Sequence, residues 1–163
     1  MIPIRERLIQ MSLIIRKALA TDIYSLVNLI NLTSKNLIEK GINQWEYPCD
    51  RRKVEEELEE GLIFMLESHG KIIGSFSIKD ISTFDAIKLN KPVKYLYRVI
   101  ISPNHQGNKL GNTIIQHLRE VSGDIYLDCW AGNHKLKQFY TGNDCIYLGD
   151  FPEEDYMISV YRV

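Results

Sequence analysis

The segment over residues 99–112 constrains the fold of this chain more than any other part of the sequence. It reads VIISPNHQGNKLGN: an apolar run, a proline, and a polar stretch that contains Gly107 and Gly111. This pattern predicts a strand, a glycine-bearing turn and the start of a helix. Because about four amides at a helix N-terminus lack partners and the helix dipole favours negative charge there, such a turn is suited to a phosphate or pyrophosphate. Glycine turns of this kind also occur with a purely structural role.

Two well-known phosphate-binding loops are excluded by spacing. A P-loop needs GxxxxGK followed by Ser or Thr, whereas Gly107 and Gly111 stand too close together and Asn112 follows. The dinucleotide-binding GxGxxG pattern is absent as well.

The same segment resembles the acetyl-coenzyme A loop of the GCN5-related N-acetyltransferases. That loop has Arg or Gln, two residues, Gly, one residue, then Gly or Ala, and Gln106 and Gly111 match its two ends. Lys109 departs from the pattern, because it stands where the family has its first Gly. A second departure follows the family's tyrosine-bearing helix, where Asp144 and Cys145 replace a Gly-Phe pair.

A second segment strengthens the resemblance. Residues 126–133 read YLDCWAGN and are similar to the family's fifth strand and the start of the next helix. Asn is a favoured N-cap, and Leu136 and Tyr140 lie on one helix face. The resemblance implies that Asn133 caps this helix and that Tyr140 faces the cofactor sulfur. From the residues alone, Tyr140 could equally be a core aromatic.

Bulk properties restrict the class of protein. With 163 residues the chain is one ordinary domain, predicted over 12–163 after an extension over 1–11. Its 20 Lys and Arg against 21 Asp and Glu, without a dense basic run, argue against a nucleic-acid partner. Three cysteines without CxxC spacing argue against a metal site and fit a reducing compartment, and no apolar run is long enough for a membrane span. We therefore expect a cytoplasmic location.

The order of predicted elements spans nearly the whole chain. Hydrophobic periodicity predicts a strand at 13–15, a helix capped by Thr21, a helix from Asp50 with Arg–Glu pairs, and a hairpin turning at 68–70. A strand at 93–102 and alternating helices and strands follow, giving β-α-α-β-β-β-α-β-α-β-β. This order implies a mixed sheet covered by helices on both faces, an α/β or α+β domain. The resemblance adds a mostly antiparallel sheet whose strands over 93–102 and 125–129 splay apart.

The resemblance implies acetyl-CoA as co-substrate and assigns the residues that hold it. In the gap between splayed strands, the backbone of Val99 and Ile101, which face the same way, is expected to bind pantetheine, and one of their N–H groups to meet the oxyanion. The predicted cofactor-binding residues are Val99, Ile101, Gln106, Gly107, Asn108, Lys109, Gly111, Asn112 and Asn133.

The chemistry of acyl transfer suggests further roles. A Tyr with a pKa of about 10 can donate a hydrogen bond to a departing thiolate, and Tyr140 is the predicted catalytic residue. The base that deprotonates the amine is left open among Asp80, Glu67, Asp128 and ordered water. Aromatic rings at Trp45, Tyr97 and Trp130 are predicted to bind the acceptor through cation–π attraction, although ordinary core packing is the alternative for each ring.

The sequence thus predicts an N-acetyltransferase that moves an acetyl group from acetyl-CoA to a primary amine by direct transfer. The acceptor is a small molecule or a peptide, no nucleic acid or membrane is involved, and a homodimer is possible. Two alternatives stay open: a domain of the same fold that binds acyl-CoA without transferring anything, and a small protein-interaction module.

Overall fold

The computed structural model describes residues 3–5, 13–42, 45–107, 109–121 and 123–163. They divide into two compact units. The N-terminal unit comprises Met1–Ser77 and Arg98–Leu110, and the C-terminal unit comprises Ile78–Tyr97 and Gly111–Val163. Most of the predicted extension over 1–11 lies outside the described residues, so its separation from a domain over 12–163 stays a prediction.

The described residues form one seven-stranded sheet and four α-helices. The strands are β1 Leu13–Lys17, β2 Ile63–Ser68, β3 Lys71–Ile81, β4 Val93–Ile101, β5 Ile125–Trp130, β6 Ile146–Glu153 and β7 Tyr156–Arg162. The helices are α1 Ile23–Glu39, α2 Arg51–Glu59, α3 Leu110–Val121 and α4 His134–Gly142, with 3-10 turns at Ala20–Asp22 and Pro103–His105.

The strand order is β1-β2-β3-β4-β5-β7-β6. Strands β4 and β5 pair in parallel, whereas the β1–β2, β2–β3, β5–β7 and β6–β7 pairs are antiparallel. The predicted element order and the mixed, mostly antiparallel sheet are therefore confirmed.

The core of the N-terminal unit joins two helices to the sheet. Leu26 and Ile30 of α1 lie one helical turn apart and pack with Val54 of α2, Met65 of β2 and Ile100 of β4, each at most 2% exposed. The 3.6-residue period of α1 is what aligns its apolar side chains on one face.

The start of α1 differs from the sequence prediction. Thr21 is not its cap, because Thr21 lies within the 3-10 turn Ala20–Asp22, and Asp22 directly before the helix makes no side-chain hydrogen bond to the helix amides. The Asp22 carboxylate accepts from the Leu19 N–H at 2.7 Å and from the Arg16 guanidinium at 2.7 and 3.0 Å. A carboxylate can accept a backbone amide and a guanidinium together, and such charge-assisted bonds are stronger than those of a neutral hydroxyl.

Helix α2 begins and is stabilised as its sequence predicts. The Asp50 side chain accepts from the Arg52 N–H at 3.0 Å and so caps the helix. The predicted pairs one turn apart form between Arg51 and Glu55, at 2.9 Å, and between Arg52 and Glu56, at 3.5 Å.

The parallel pairing of β4 with β5 is short. Within the C-terminal unit it consists of Lys94 opposite Ile125 and Tyr95 opposite Tyr126, whereas β5 continues to Trp130. Beyond Tyr126, β5 keeps its antiparallel partner β7 as far as Trp130.

Candidate functional site

Strand β4 carries the backbone predicted to bind pantetheine, and it is irregular at that point. Arg98 has φ +47°, a left-handed conformation that within a strand is typical of a bulge. Two hydrogen bonds, at 2.9 and 3.1 Å, hold its guanidinium on the Glu57 carboxylate of α2. Arg98 directly precedes Val99, and the side chains of Val99 and Ile101 are both half-buried. A bulge re-aims the backbone that follows it, which is the requirement for exposing peptide groups to a ligand.

Gly74 fixes how closely β3 approaches this backbone, and sequence analysis did not single it out. An added β-carbon at Gly74 would lie 2.7 Å from the Ile100 carbonyl oxygen, closer than side-chain carbons come to backbone. The Ser102 N–H donates to the Ile73 carbonyl at 2.9 Å just beyond it. A glycine inside a strand pattern is the sequence signal that could have indicated this close approach.

The loop after β4 has the backbone geometry of an anion site. Gly107 has φ +85° and Lys109 has φ +58°, and helix α3 begins at Leu110. A left-handed residue followed by a right-handed helix turns successive N–H groups toward one side, which forms a concave anion-binding nest. Before this nest, the Gln106 side-chain amide donates to the Ile101 carbonyl at 3.2 Å.

Two of the predicted cofactor residues complete this segment. Asn108 lies outside the described residues. Asn112 is half-buried in the first turn of α3.

The two departures from the family pattern keep the backbone that glycine would adopt. Lys109 and Asp144 have φ +58° and +60°. Left-handed backbone costs a residue with a side chain about 1–2 kcal/mol, so the fold tolerates this cost at both positions. After Asp144, the Cys145 N–H donates to the Tyr140 carbonyl at 3.1 Å and its side chain is buried. Helix α4 therefore retains Tyr140 in its last turns.

Gly111 has a packing role in addition to its predicted cofactor role. An added β-carbon there would lie 2.7 Å from the Phe139 ring, so this glycine lets α3 approach α4 closely. The Phe139 ring in turn packs edge-on against Tyr140, with 5.4 Å between centroids. Contact of Gly111 with a cofactor stays a prediction.

Tyr140 is held inside the C-terminal unit. As predicted, Asn133 caps its helix by accepting from the Leu136 N–H at 3.1 Å. Tyr140 is 6% exposed, and its ring lies 5.4 Å from that of Tyr161. Burial, and then the nearby Cys129, raises the pKa of Tyr140 above its ordinary value. The hydroxyl is therefore neutral at physiological pH and suited to donating a hydrogen bond.

Asp128 is distinguished among the three candidate bases by its surroundings. Its carboxylate accepts from the Tyr95 hydroxyl at 2.8 Å. Burial raises the pKa of Asp128, and the Tyr95 hydrogen bond opposes that rise only in part. Burial, followed by the Asp128 charge, also raises the pKa of Glu153. Asp128 is thus a partly desolvated carboxylate whose affinity for a proton exceeds that of an ordinary aspartate.

The other two candidates each lie beside a basic side chain. Asp80 forms an ion pair with Lys94 at 2.9 Å and its side chain is 77% exposed. Glu67 lies 3.8 Å from the Arg16 guanidinium.

The predicted acceptor aromatics lie in different surroundings. Trp45 packs against the core of the N-terminal unit. In the C-terminal unit, Trp130 is 56% exposed, and Tyr97 stacks on Tyr95 with 5.9 Å between centroids. The Lys79 ammonium lies 5.1 Å from the Tyr97 centroid, so a cation of the chain itself occupies the cation–π position expected for an acceptor.

Two absences apply to the described part of the chain. No helix in it is both long and apolar enough to cross a membrane. Its His, Cys, Asp and Glu side chains form no group of three or more that could hold a metal ion.

Comparison with protein-family models identifies a family for this chain. The sequence model of the acetyltransferase (GNAT) family matches residues 25–142. Among curated protein sequences, none matches this chain. A GNAT-family acetyltransferase structure from Streptococcus agalactiae 2603 superposes with a TM-score of 0.79 at 20% identity, covering 92% of this chain and 94% of that one.

Two further structures resemble the chain. The protein yncA from Salmonella typhimurium, solved with its cofactor acetyl-CoA, gives a TM-score of 0.67 at 15% identity over 93% of each chain. A ribosomal-protein-alanine N-acetyltransferase from Brucella melitensis gives a TM-score of 0.67 at 17% identity, covering 92% of this chain and 98% of that one. At such identities the structural likeness establishes the fold alone.

Proposed function

The chain belongs to the acetyltransferase (GNAT) family, and from this membership we propose that it is an N-acetyltransferase that moves an acetyl group from acetyl-CoA directly to a primary amine. The observation that carries the proposal is the presence of a hydrogen-bond donor and a proton acceptor in the C-terminal unit. A buried, neutral Tyr140 supplies a hydrogen-bond donor, and a partly desolvated Asp128 supplies a proton acceptor.

The backbone between β4 and α3 fits the coenzyme. The left-handed residues Gly107 and Lys109 form a nest for the pyrophosphate, and the peptide groups of Val99 and Ile101, which follow the left-handed Arg98, bind the pantetheine amides. The coenzyme supplies the acetyl thioester when it is bound. The chain supplies orientation and fixed peptide dipoles, which need no reorganisation during the reaction.

Tyr140 acts as a hydrogen-bond donor rather than as a full acid. An ordinary Tyr lies about 1.5 pK units above a thiol, so complete proton transfer costs roughly 2 kcal/mol. Because burial raises the pKa of Tyr140 further, that transfer becomes more unfavourable. A hydrogen bond to the departing thiolate avoids this cost, and the thiolate then takes its proton from solvent.

Asp128 receives the amine. Its carboxylate can pair with the acceptor's ammonium group and take a proton from it, directly or through water. The raised pKa makes Asp128 a stronger base than a solvated aspartate, and the Tyr95 hydroxyl fixes the orientation of the carboxylate.

Direct transfer is favoured over an acyl-enzyme on the neighbouring thiol. Burial, and next the Asp128 charge, raises the pKa of Cys129 to about 11. Because the thiolate is the nucleophilic form, Cys129 is a poor nucleophile at neutral pH.

The test is a Tyr140→Phe variant. We expect turnover with a reactive amine to fall about 100-fold, as loss of a positioned proton donor implies, with acetyl-CoA binding unchanged within about twofold. Thiol release measures turnover, and calorimetric titration measures binding. Tyr24→Phe on the exposed face of α1 is the matched control, since Tyr24 is 71% exposed.

The alternatives give different results in the same experiment. A non-catalytic acyl-CoA-binding domain would bind the coenzyme and release no thiol with any amine in a panel. A protein-interaction module would show neither activity. The acceptor class, small molecule or peptide, and the homodimer stay predictions.

A further inference from the structure

A basic cavity of about 580 Å³ lies in the N-terminal unit beside the 3-10 turn that precedes the cofactor loop. We call it the basic pocket. Its polar lining comes from Arg5, Ser68, His69, Lys71 and His105. The side chains come from three places in the sequence: the segment around Arg5, the β2–β3 hairpin, and the turn Pro103–His105.

His105 has an unsatisfied nitrogen at this pocket. Its Nδ1 atom is buried and has no hydrogen-bond partner in the described part of the chain. An unpaired buried polar atom is unfavourable, so the His105 ring is stabilised where this nitrogen gains a hydrogen-bond partner. Burial, and then the charges of Arg5 and Lys71, lowers the pKa of His105. An anion bound between Arg5, Lys71 and His105 would offset the two positive charges and so raise the pKa of His105.

The charge of the lining is of one sign. The lining contains two basic side chains, Arg5 and Lys71, and two imidazole rings, His69 and His105, and no carboxylate is among the described residues that line the pocket. A guanidinium offers two parallel donors to a phosphate, an ammonium adds a point charge, and a protonated imidazole donates from both nitrogens.

We propose that the basic pocket binds a dianionic phosphate group, held by Arg5 and Lys71 with His105 taking up a proton as it binds. Ser68 and His69 line the same cavity and complete its polar wall. Two sources present this chemistry: a free phosphate or phosphomonoester, and the 3′-phosphate of coenzyme A. Because His105 directly precedes Gln106, an occupied pocket also fixes the entrance to the cofactor loop.

The first test is calorimetric titration of the full chain with inorganic phosphate at constant ionic strength. We expect saturable binding at one site, with proton uptake revealed by repeating the titration in buffers of different ionisation enthalpy. Arg5→Gln and Lys71→Gln should each weaken binding about tenfold, the effect of losing one charge-assisted hydrogen bond. Lys35→Gln, at an exposed position of α1, is the matched control and should leave phosphate binding unchanged.

Binding that does not saturate, or that weakens equally in Lys35→Gln, would overturn the proposal, because either result reports general charge attraction. Thermal melts of all variants establish that each is folded. This phosphate titration does not depend on the proposed acetyltransferase function, so the two can fail separately.

A second comparison separates the two sources. If the pocket takes the 3′-phosphate, coenzyme A binds more tightly than dephospho-coenzyme A, the difference disappears in Lys71→Gln, and saturating coenzyme A blocks inorganic phosphate. If the ligand is a free phosphate group, both coenzymes bind equally and phosphate still binds to the coenzyme-saturated chain. Either outcome supports the pocket and assigns its ligand.

Discussion

Lys109 and Asp144 are the two positions at which the side chain departs from the family pattern while the backbone conformation is one that favours glycine. Both occupy left-handed conformations, at φ +58° and +60°, where the family has glycine. We expect Lys109→Gly and Asp144→Gly each to raise the free energy of unfolding by up to about 1 kcal/mol, since relief of strain exceeds the entropy that glycine adds to the unfolded chain. Urea denaturation measures this change.

The control for both variants is Lys35→Gly within helix α1. There the same chemical change should lower the free energy of unfolding by about 1 kcal/mol, because glycine is a poor helix former. If all three variants were destabilised alike, the left-handed residues would carry no strain.

Asp128 is where stability and activity are expected to oppose each other. Burial raises its pKa, so the folded chain disfavours the ionised carboxylate. The resulting loss of folding stability is absent below the ordinary Asp pKa of 3.8, grows as pH rises from there to the raised pKa, and is complete above it. Asp128→Asn should therefore raise the free energy of unfolding at pH 7.5 more than at pH 4, while lowering turnover about 100-fold.

The pH profile distinguishes a base from a structural carboxylate. In the natural chain, kcat/KM should fall as pH drops through the raised pKa of Asp128, and this acid limb should disappear in Asp128→Asn. Asp80→Asn is the matched control, since Asp80 is exposed and pairs with Lys94. An unchanged acid limb in Asp128→Asn would remove Asp128 from the reaction.

Single residues also show the limit of sequence reasoning. Asn133 was predictable as a cap because its partner Leu136 is only three positions away. The Tyr95–Asp128 hydrogen bond joins residues 33 positions apart, and the sequence contains no local signal for it. Roles that depend on long-range contacts therefore could not be predicted from the sequence, and the raised proton affinity of Asp128 is the main example.

At the scale of elements, the approach of α3 to α4 depends on one glycine. An added β-carbon at Gly111 would lie 2.7 Å from the Phe139 ring. Gly111→Ala should therefore destabilise the chain by about 1–3 kcal/mol through overpacking. Combining it with Phe139→Leu, which makes room, should cost less than the sum of the two single variants. Thermal and urea denaturation of all four proteins measure this coupling.

Gly107→Ala is the companion variant on the loop. Among the described residues other than its chain neighbours, an added β-carbon there meets no atom within 4 Å, although φ +85° strains any side chain. It should cost only the strain of about 1–2 kcal/mol, and Phe139→Leu should leave that cost unchanged. Equal coupling of both glycines to Phe139 would contradict the packing role of Gly111.

Elements differ in how far the sequence predicts their boundaries. Helix α2 follows its local signals closely, with an Asp50 cap and Arg–Glu pairs one turn apart. Helix α1 does not, because Asp22 accepts from Arg16 of the preceding strand as well as from Leu19. The Asp22 carboxylate thus binds groups that precede the helix, and the local preference for a side-chain cap at Thr21 did not predict this start.

For the whole molecule, the order of elements and two separated motifs were sufficient to predict the fold. Hydrophobic periodicity predicted the order of the strands and helices, and the strands form the seven-stranded sheet. Periodicity contains no information on which side chains of distant elements meet. The Lys79 ammonium over the Tyr97 ring is such a contact, and the binding of an acceptor by Tyr97 stays a prediction.

The stability of the whole chain gives the last prediction. A ligand that binds only the folded state stabilises it by about 2.7 kcal/mol at 100 times its dissociation constant. For a chain of this length each kcal/mol raises the melting temperature by about 2–4 °C, so acetyl-CoA should raise it by about 5–10 °C. Differential scanning fluorimetry over a series of acetyl-CoA concentrations measures the shift, with adenosine as a control ligand that lacks the pyrophosphate and pantetheine.

This shift separates the three candidate functions when it is combined with thiol release. The acetyltransferase and the acyl-CoA-binding domain both require a concentration-dependent shift, and only the acetyltransferase also releases thiol with an amine. An interaction module requires no shift. Lys109→Gly should retain the shift, because it keeps the left-handed backbone on which the nest depends. Loss of the shift in Lys109→Gly would mean that the lysine side chain, rather than the backbone, holds the coenzyme.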